Sequence, residues 1–383
     1  MMNPDVERLA HRFPLIARPR PACPPLQERI SEISRLARDA EHADDPLPLA
    51  AQALNKAALI ASDCGIPELA HGWCWRHINL YRNAPRLTAR QAHHMLEPVV
   101  NLARLRLRAD APDAAWAMLT TVHQALATNA DAIIEGRPLP TGHLTGDIGD
   151  QRELRRWMWG VYLSEGSRAL LRQGRWQDAV THVELNKGIG RHLLDGRQIS
   201  IIARCLAGDT EAARAILDAG LHTEPWEEQV AACLAVVCQL SCGGPVADYA
   251  ARMIEQYLAS EPTPDHALFR IRLGLTVADL CVDPSQAKCV YEHVTGEALA
   301  SRDGYAAREV LSHHGCTANL SNPQKRDLTT AVHSSGLGLQ AIPASALSDL
   351  AEAARTGEMV IRNVLCSSAE SPGPVSKSVR AIR

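Results

Sequence analysis

Phenylalanine is nearly missing from this 383-residue chain: Phe13 and Phe269 are its only two, and all aromatics together make up 4%. A core built without large rings needs closely packed elements, and alanine and leucine, both strong helix formers, carry the burial instead. Lysine is almost as scarce. Of 40 basic residues only Lys56, Lys187, Lys288, Lys325 and Lys377 are lysine, and 43 acidic residues bring the formal charge to −3. That balance gives no global attraction to nucleic acid or to an anionic membrane, so neither is expected as a partner. No run approaches 18 uncharged apolar residues, the length needed to span a bilayer as a helix. Residues 1–13 are charged and lack the apolar stretch of a secretory leader.

Motifs that carry chemistry are also lacking. There is no G-x-S-x-G elbow, no H-E-x-x-H, no phosphate-binding Walker loop and no dinucleotide fingerprint. Gly188-Ile189-Gly190 has no strand before it, so the pair of glycines carries no cofactor signal. His93-His94, or Cys64 with His71 or His77, are the acid/base sets one can assemble, and nothing in their spacing requires catalysis. Eleven cysteines are present, most beside Ala, Leu and Val at helical positions. They read as small apolar residues of a reduced, cytoplasmic protein. Cys233, Cys238 and Cys242 lie on one helix with Cys233 rotated away from Cys238, unlike the compact pairs of a zinc site. His313-His314-Gly315-Cys316 is more compact, yet packed thiols and solvated histidines remain the expectation there too. No metal and no cofactor is expected.

What the chain does contain is a repeat. Gly174-Arg175-Trp176-Gln177-Asp178-Ala179 is followed 34 residues later by Gly208-Asp209-Thr210-Glu211-Ala212-Ala213. The small residue that packs inside each second helix aligns as Ala70, Ala115, Ala179, Ala213, Ala250 and Ala287, at intervals of 45, 64, 34, 37 and 37 residues. Helices are expected over 49–62 and 67–81, one or two over 89–109, and one from Pro112 to Ala127. Pro67 and Pro112 suit a first helical turn. The stretch from Trp157 to Gly220 resembles a tetratricopeptide-repeat pair, and 50–127 looks like diverged repeats of the same kind. The repeat region is also similar to the repeat halves of actinobacterial regulators, in keeping with the arginine bias of a GC-rich genome. Those regulators carry an N-terminal helix-turn-helix, and residues 1–45 show no such pattern. The resemblance implies an all-α, tetratricopeptide-like solenoid of antiparallel hairpins.

Around that core the chain divides as follows. Residues 1–45 read as a Pro-rich N-terminal segment with one helix, from Leu26 to Ala40. Residues 46–320 read as the repeat domain, with a Gly-, Pro- and Thr-rich loop insertion at 129–151. Residues 321–366 read as a C-terminal helical segment with a helix at 345–354, and 367–383 as a disordered tail. Trp73, Trp75 and Trp116 fall on second helices. Trp157 and Trp159, two apart, cannot face the same neighbour; packing between hairpins is the expectation, with one exposed ring as the alternative.

A solenoid of this type binds along the surface of its first helices. Measured back from the turns at Gly65, Asp110, Gly174 and Gly208, the inward positions are Asn55, Arg104, Arg168 and Gln198, and a turn later come Arg108 and Arg172. Arg104/Arg108 and Arg168/Arg172 are i, i+4 pairs at matching registers, able to clamp carboxylates through bidentate hydrogen bonds. The expected function is therefore a non-catalytic protein- or peptide-binding scaffold, an adaptor, accessory or ligand-responsive regulator. Its expected partner is a protein or peptide, acidic or carboxylate-terminated. An enzyme or metal-binding helical protein using the His/Cys positions is one alternative, and a transcriptional regulator the other.

Overall fold

The computed structural model describes residues 4–370 apart from Pro85 and His143. Helices α1 (Pro4–Ala10) and α2 (Leu26–His42) come first. They are followed by α3 (Leu47–Asp63), α4 (Pro67–Tyr81), α5 (Ala89–Arg108) and α6 (Pro112–Thr128). Strands β1 (Ala132–Ile134) and β2 (Arg137–Leu139) form a hairpin. Helix α7 (Ile148–Val161) runs through a π turn at Tyr162–Gly166 into α8 (Ser167–Leu171), and α9 (Trp176–Leu185) returns. The pairs α10 (Asp195–Ala207) with α11 (Thr210–Asp218) and α12 (Pro225–Cys242) with α13 (Ala247–Ala259) come next. Then α14 (Ala267–Leu280) packs on α15 (Pro284–Ser301), and α16 (Gly304–Ser312) reaches α18 (Asn322–Ser334) through the short α17 (His314–Ala318). Helix α19 (Ala344–Glu370) ends the described chain. The fold is all-α, and no described helix is long and apolar enough to cross a membrane.

One local rule builds the hairpins. Gly65, Asp110, Gly174 and Gly208 all have positive φ, 79°, 56°, 68° and 78°. A left-handed residue ends a helix by turning the chain back, which glycine does without steric cost and aspartate tolerates. Five residues after each lies Ala70, Ala115, Ala179 or Ala213, the fourth residue of its helix and at most 1% exposed. In the α3/α4, α8/α9 and α10/α11 pairs, a side chain reduced to one methyl lets the second helix approach the first. Ala250 is likewise fourth in α13 and buried, after Gly243 at φ 64°. Ala287 is fourth in α15 but only half-buried, and no left-handed residue precedes it. There Val290, Val294 and Ala298 do the packing.

The helices gather into two compact units. The first comprises the chain through Arg29, with Asp110–Ala117 and Trp159–Leu339; the second comprises Ile30–Ala109, Met118–Met158 and the chain from Gln340. Both are discontinuous in sequence, and they cut across the linear division into 1–45, 46–320 and 321–366. In the first unit, α10, α12, α14 and α16 each contact the next, and α1 packs on α10, α12 and α14. Val6, Leu9, Phe13 and Leu15 join Ile201, Val230, Val237, Leu273 and Val294 in one core. In the second unit, α19 lies on α3 and α4. Ala50, Ala53, Ala57 and Ala61 make a small-residue face on α3, and a Cβ on Gly357 of α19 would come within 3.3 Å of the Ala50 carbonyl.

Several expectations are corrected. The N-terminal segment carries two helices, because its prolines from Pro14 to Pro25 confine the break to the stretch between α1 and α2. The insertion at 129–151 contains the β1–β2 hairpin and the start of α7. Glu135 and Gly136 at its tip have φ 51° and 74°, as the mirror-image hairpin turns require. The C-terminal helix runs well past Ala354 and takes residues 367–370 from the expected tail; residues 371–383 lie outside the described chain.

Candidate functional site

Between α1 and α2 the chain cannot be helical, since Pro14, Pro19, Pro21, Pro24 and Pro25 remove amide donors and fix φ. It runs without regular structure across the first unit, and that unit grips it side chain to backbone. Gln198 on α10, fully buried, accepts from the Leu15 amide through Oε1 at 2.8 Å and donates through Nε2 to the Leu15 carbonyl at 2.7 Å. The same Nε2 donates to the Leu193 carbonyl at 2.6 Å, so both amide hydrogens are used. Farther along, the Cys23 amide donates to Asp303 Oδ1 at 3.0 Å. The Cys23 carbonyl accepts from the Gly304 amide and from Ser335 Oγ, each at 2.9 Å. Both ends of this strap are thus held by backbone groups that any residue but proline would offer.

Its side chains add selectivity. Phe13, Leu15 and Cys23 are buried, while Arg12, Arg18 and Arg20 meet acidic or aromatic groups. Arg12 donates to Asp279 Oδ2 through Nε at 2.9 Å and Nη2 at 2.6 Å. Arg18 pairs with Asp195. Arg20 lies 4.0 Å over the Tyr305 ring, and its amide donates to the Asp265 carbonyl at 3.0 Å. Burial alone would raise the Asp279 carboxyl, but the His313 hydrogen bond and the Arg12 charge outweigh it and hold it below its usual value. His313 Nδ1 accepts from the Cys316 amide at 3.0 Å, so Nε2 carries the proton donated to Asp279 Oδ1 at 3.1 Å. A basic, apolar-anchored strap lies against an acidic lining.

The residues read as groove positions fall in both units. Asn55, Arg104 and Arg108 belong to the second, and Arg168, Arg172 and Gln198 to the first. Their matching registers reflect matching roles inside the fold. Arg108 donates to Ser62 Oγ and to Asp63 Oδ1, the latter at 3.2 Å, and Arg172 sits 3.9 Å from Asp110 Oδ1. Each arginine two residues before a turn therefore meets an aspartate at an earlier turn. Arg104 donates to Asn101 at 3.0 Å and Arg168 to Glu165 at 2.9 Å, both three residues back on the same stretch of helix. Asn55 donates to Glu97 Oε2 at 2.7 Å and accepts from Asn101 at 3.3 Å. The guanidinium pairs are engaged with their own neighbours, and Gln198 lies in the core against the strap instead of facing solvent.

Other chemistry-bearing side chains are dispersed. Cys233 and Cys238 are core residues and Cys242 is exposed. Cys238 Sγ is 3.7 Å from Cys205 Sγ. Cys64 is buried, and His71 is bonded to Glu135 at 2.6 Å. His77 is buried with neither ring nitrogen hydrogen-bonded, and burial together with nearby His94 pulls it down to about 3. Trp159 is 40% exposed and donates to the Asn186 carbonyl at 2.8 Å, while Trp157 packs on His93. Glu135, at the hairpin tip, accepts from Trp75 at 2.9 Å, from His71 and from Arg106. Among the described residues no group of three His, Cys, Asp or Glu side chains is placed to hold a metal ion.

Sequence reasoning missed the strap. The available signal was Arg12-Phe13-Pro14-Leu15-Ile16: one of only two phenylalanines, beside leucine and isoleucine, in a segment that cannot be helical. Compared with known protein families, curated proteins and solved structures, the chain matches none.

Proposed function

We propose that this protein is a non-catalytic scaffold that binds an extended segment of another protein along the first helices of tetratricopeptide-like hairpins. It would act in the cytoplasm as an adaptor, an accessory or a ligand-responsive regulator. The observation that carries this is the pair of hydrogen bonds from Gln198 to both the N–H and the C=O of Leu15. A side-chain amide that pairs with both the N–H and the C=O of one residue holds the backbone there whatever that side chain is, proline excepted, leaving selectivity to neighbouring pockets and charges. The packing of the first unit supports it as well, because α10, α12, α14 and α16 each contact the next. Such a receptor is ordered before it binds, so association loses little receptor entropy.

The test is to pan the immobilised full chain against a library of random displayed peptides. An enriched consensus, whose synthetic member binds saturably and in a 1:1 ratio, is the expected outcome. Failure to enrich any peptide over bare support, across repeated selections, would remove the basis for the proposal.

A further inference from the structure

We infer that the surface of α10, α14 and α16 holding residues 12–23 is a receptor for an arginine-bearing, apolar-anchored extended segment supplied in trans, with this chain's own strap as its internal competitor. This deepens the scaffold reading above and rests on it. The strap serves as an imprint of the ligand. Its backbone is read at Leu15 by Gln198 and at Cys23 by Asp303, Gly304 and Ser335. Apolar anchors at Phe13, Leu15 and Cys23 enter the core side. Arginines at 12, 18 and 20 meet Asp279, Asp195 and the face of Tyr305.

Three features separate a displaceable occupant from a fixed core segment. The strap has no hydrogen-bonded helix or sheet of its own, so it can leave residue by residue. Its Arg18–Asp195 contact lies toward solvent, with the Arg18 side chain 47% exposed. The acidic lining is reachable from solvent: Asp195 and Asp279 side chains are 19% and 15% exposed even with the strap in place, so an open surface offers two carboxyl groups to an incoming cation. An acidic segment would face these carboxylates without a counter-charge, which selects against it.

The apparent affinity for a trans segment is the intrinsic affinity reduced by the fraction of chains whose strap is open. Weakening the strap without touching the lining must therefore tighten binding. The probe is a fluorescent peptide of residues 10–25 carrying Cys23→Ser. The proteins are the full wild-type chain and the full chain with Arg18→Ala and Arg20→Ala, which leaves the core residues Phe13 and Leu15 unchanged in sequence. We expect saturable binding about tenfold tighter to the double variant. A peptide with its three arginines changed to glutamate should not bind. On peptide addition, amide exchange at Leu15 and Cys23 of the protein should accelerate. No saturable binding to the double variant, once circular dichroism shows it folded, overturns the inference; so does equal binding by the charge-reversed peptide. If a library-selected peptide still binds in that case, the scaffold reading survives on another surface, and loss of both removes both.

Discussion

Replacing Gln198 with leucine should be among the most damaging single changes in the first unit. Leucine keeps most of the volume and removes every polar atom. Three backbone groups then lose a partner: the Leu15 N–H, the Leu15 carbonyl and the Leu193 carbonyl. Leu15 is 4% exposed and Leu193 fully buried, so water cannot replace the bonds while the strap stays docked. A buried group left unsatisfied costs roughly 1–3 kcal/mol, so about 3–9 kcal/mol of stability is at stake for the three. The loss has a ceiling. If the strap peels away, Leu15 regains water and the cost falls to the strap's own docking free energy. Urea unfolding of the full chain gives the global loss, and amide exchange at Leu15 tells the two outcomes apart. A stability within about 0.5 kcal/mol of wild type, with Leu15 exchange unchanged, would refute the role given to Gln198.

The arginine registers make a graded prediction. Arg108→Ala should cost about 1–2 kcal/mol, because its partner Asp63 is almost fully buried, whereas Arg172→Ala, facing an exposed Asp110 at 3.9 Å, should stay within about 0.5 kcal/mol; equal losses on urea unfolding would contradict this. Glu135 titrates at about 2 in the folded chain: burial pushes it up, but hydrogen bonds from Trp75, Arg106 and His71 overcome that. Its stabilisation is complete above the ordinary carboxyl value of 4.5 and fades as pH falls toward 2. With Arg106 42% exposed and so partly screened, this should amount to about 1–2 kcal/mol, and Glu135→Gln should flatten that part of the stability–pH curve. Gly208→Ala should destabilise by about 1 kcal/mol through its positive φ, while Gly72→Ala, exposed on α4 with nothing near its missing Cβ, should stabilise by about 0.5–1 kcal/mol; thermal melts that reverse the order would sink the turn account.

The hairpins were legible because their signal is local. A left-handed glycine or aspartate marks where one helix stops, and a buried alanine follows five residues later at four turns. Ala287 shows the limit. Its interval matched, yet α15 packs through Val290 and Val294, because the chain enters that helix without a left-handed turn. The arginine registers were also legible as registers, while their partners were not, since Asp63 and Asp110 come from other turns. Non-local pairing hid the strap as well. Prolines announced an interrupted segment, but nothing near Leu15 in sequence names Gln198, 183 residues away. The two-unit grouping depends on the same long-range contacts, with α19 returning to α3.

The most direct measurement is the hydrogen-exchange footprint of a library-selected peptide on the full chain. Slowed exchange on α10, α14 and α16, with faster exchange at Leu15 and Cys23, is the predicted pattern. Slowing confined to α11, α13 and α15, with the strap undisturbed, would contradict the claim that the first helices are the binding surface.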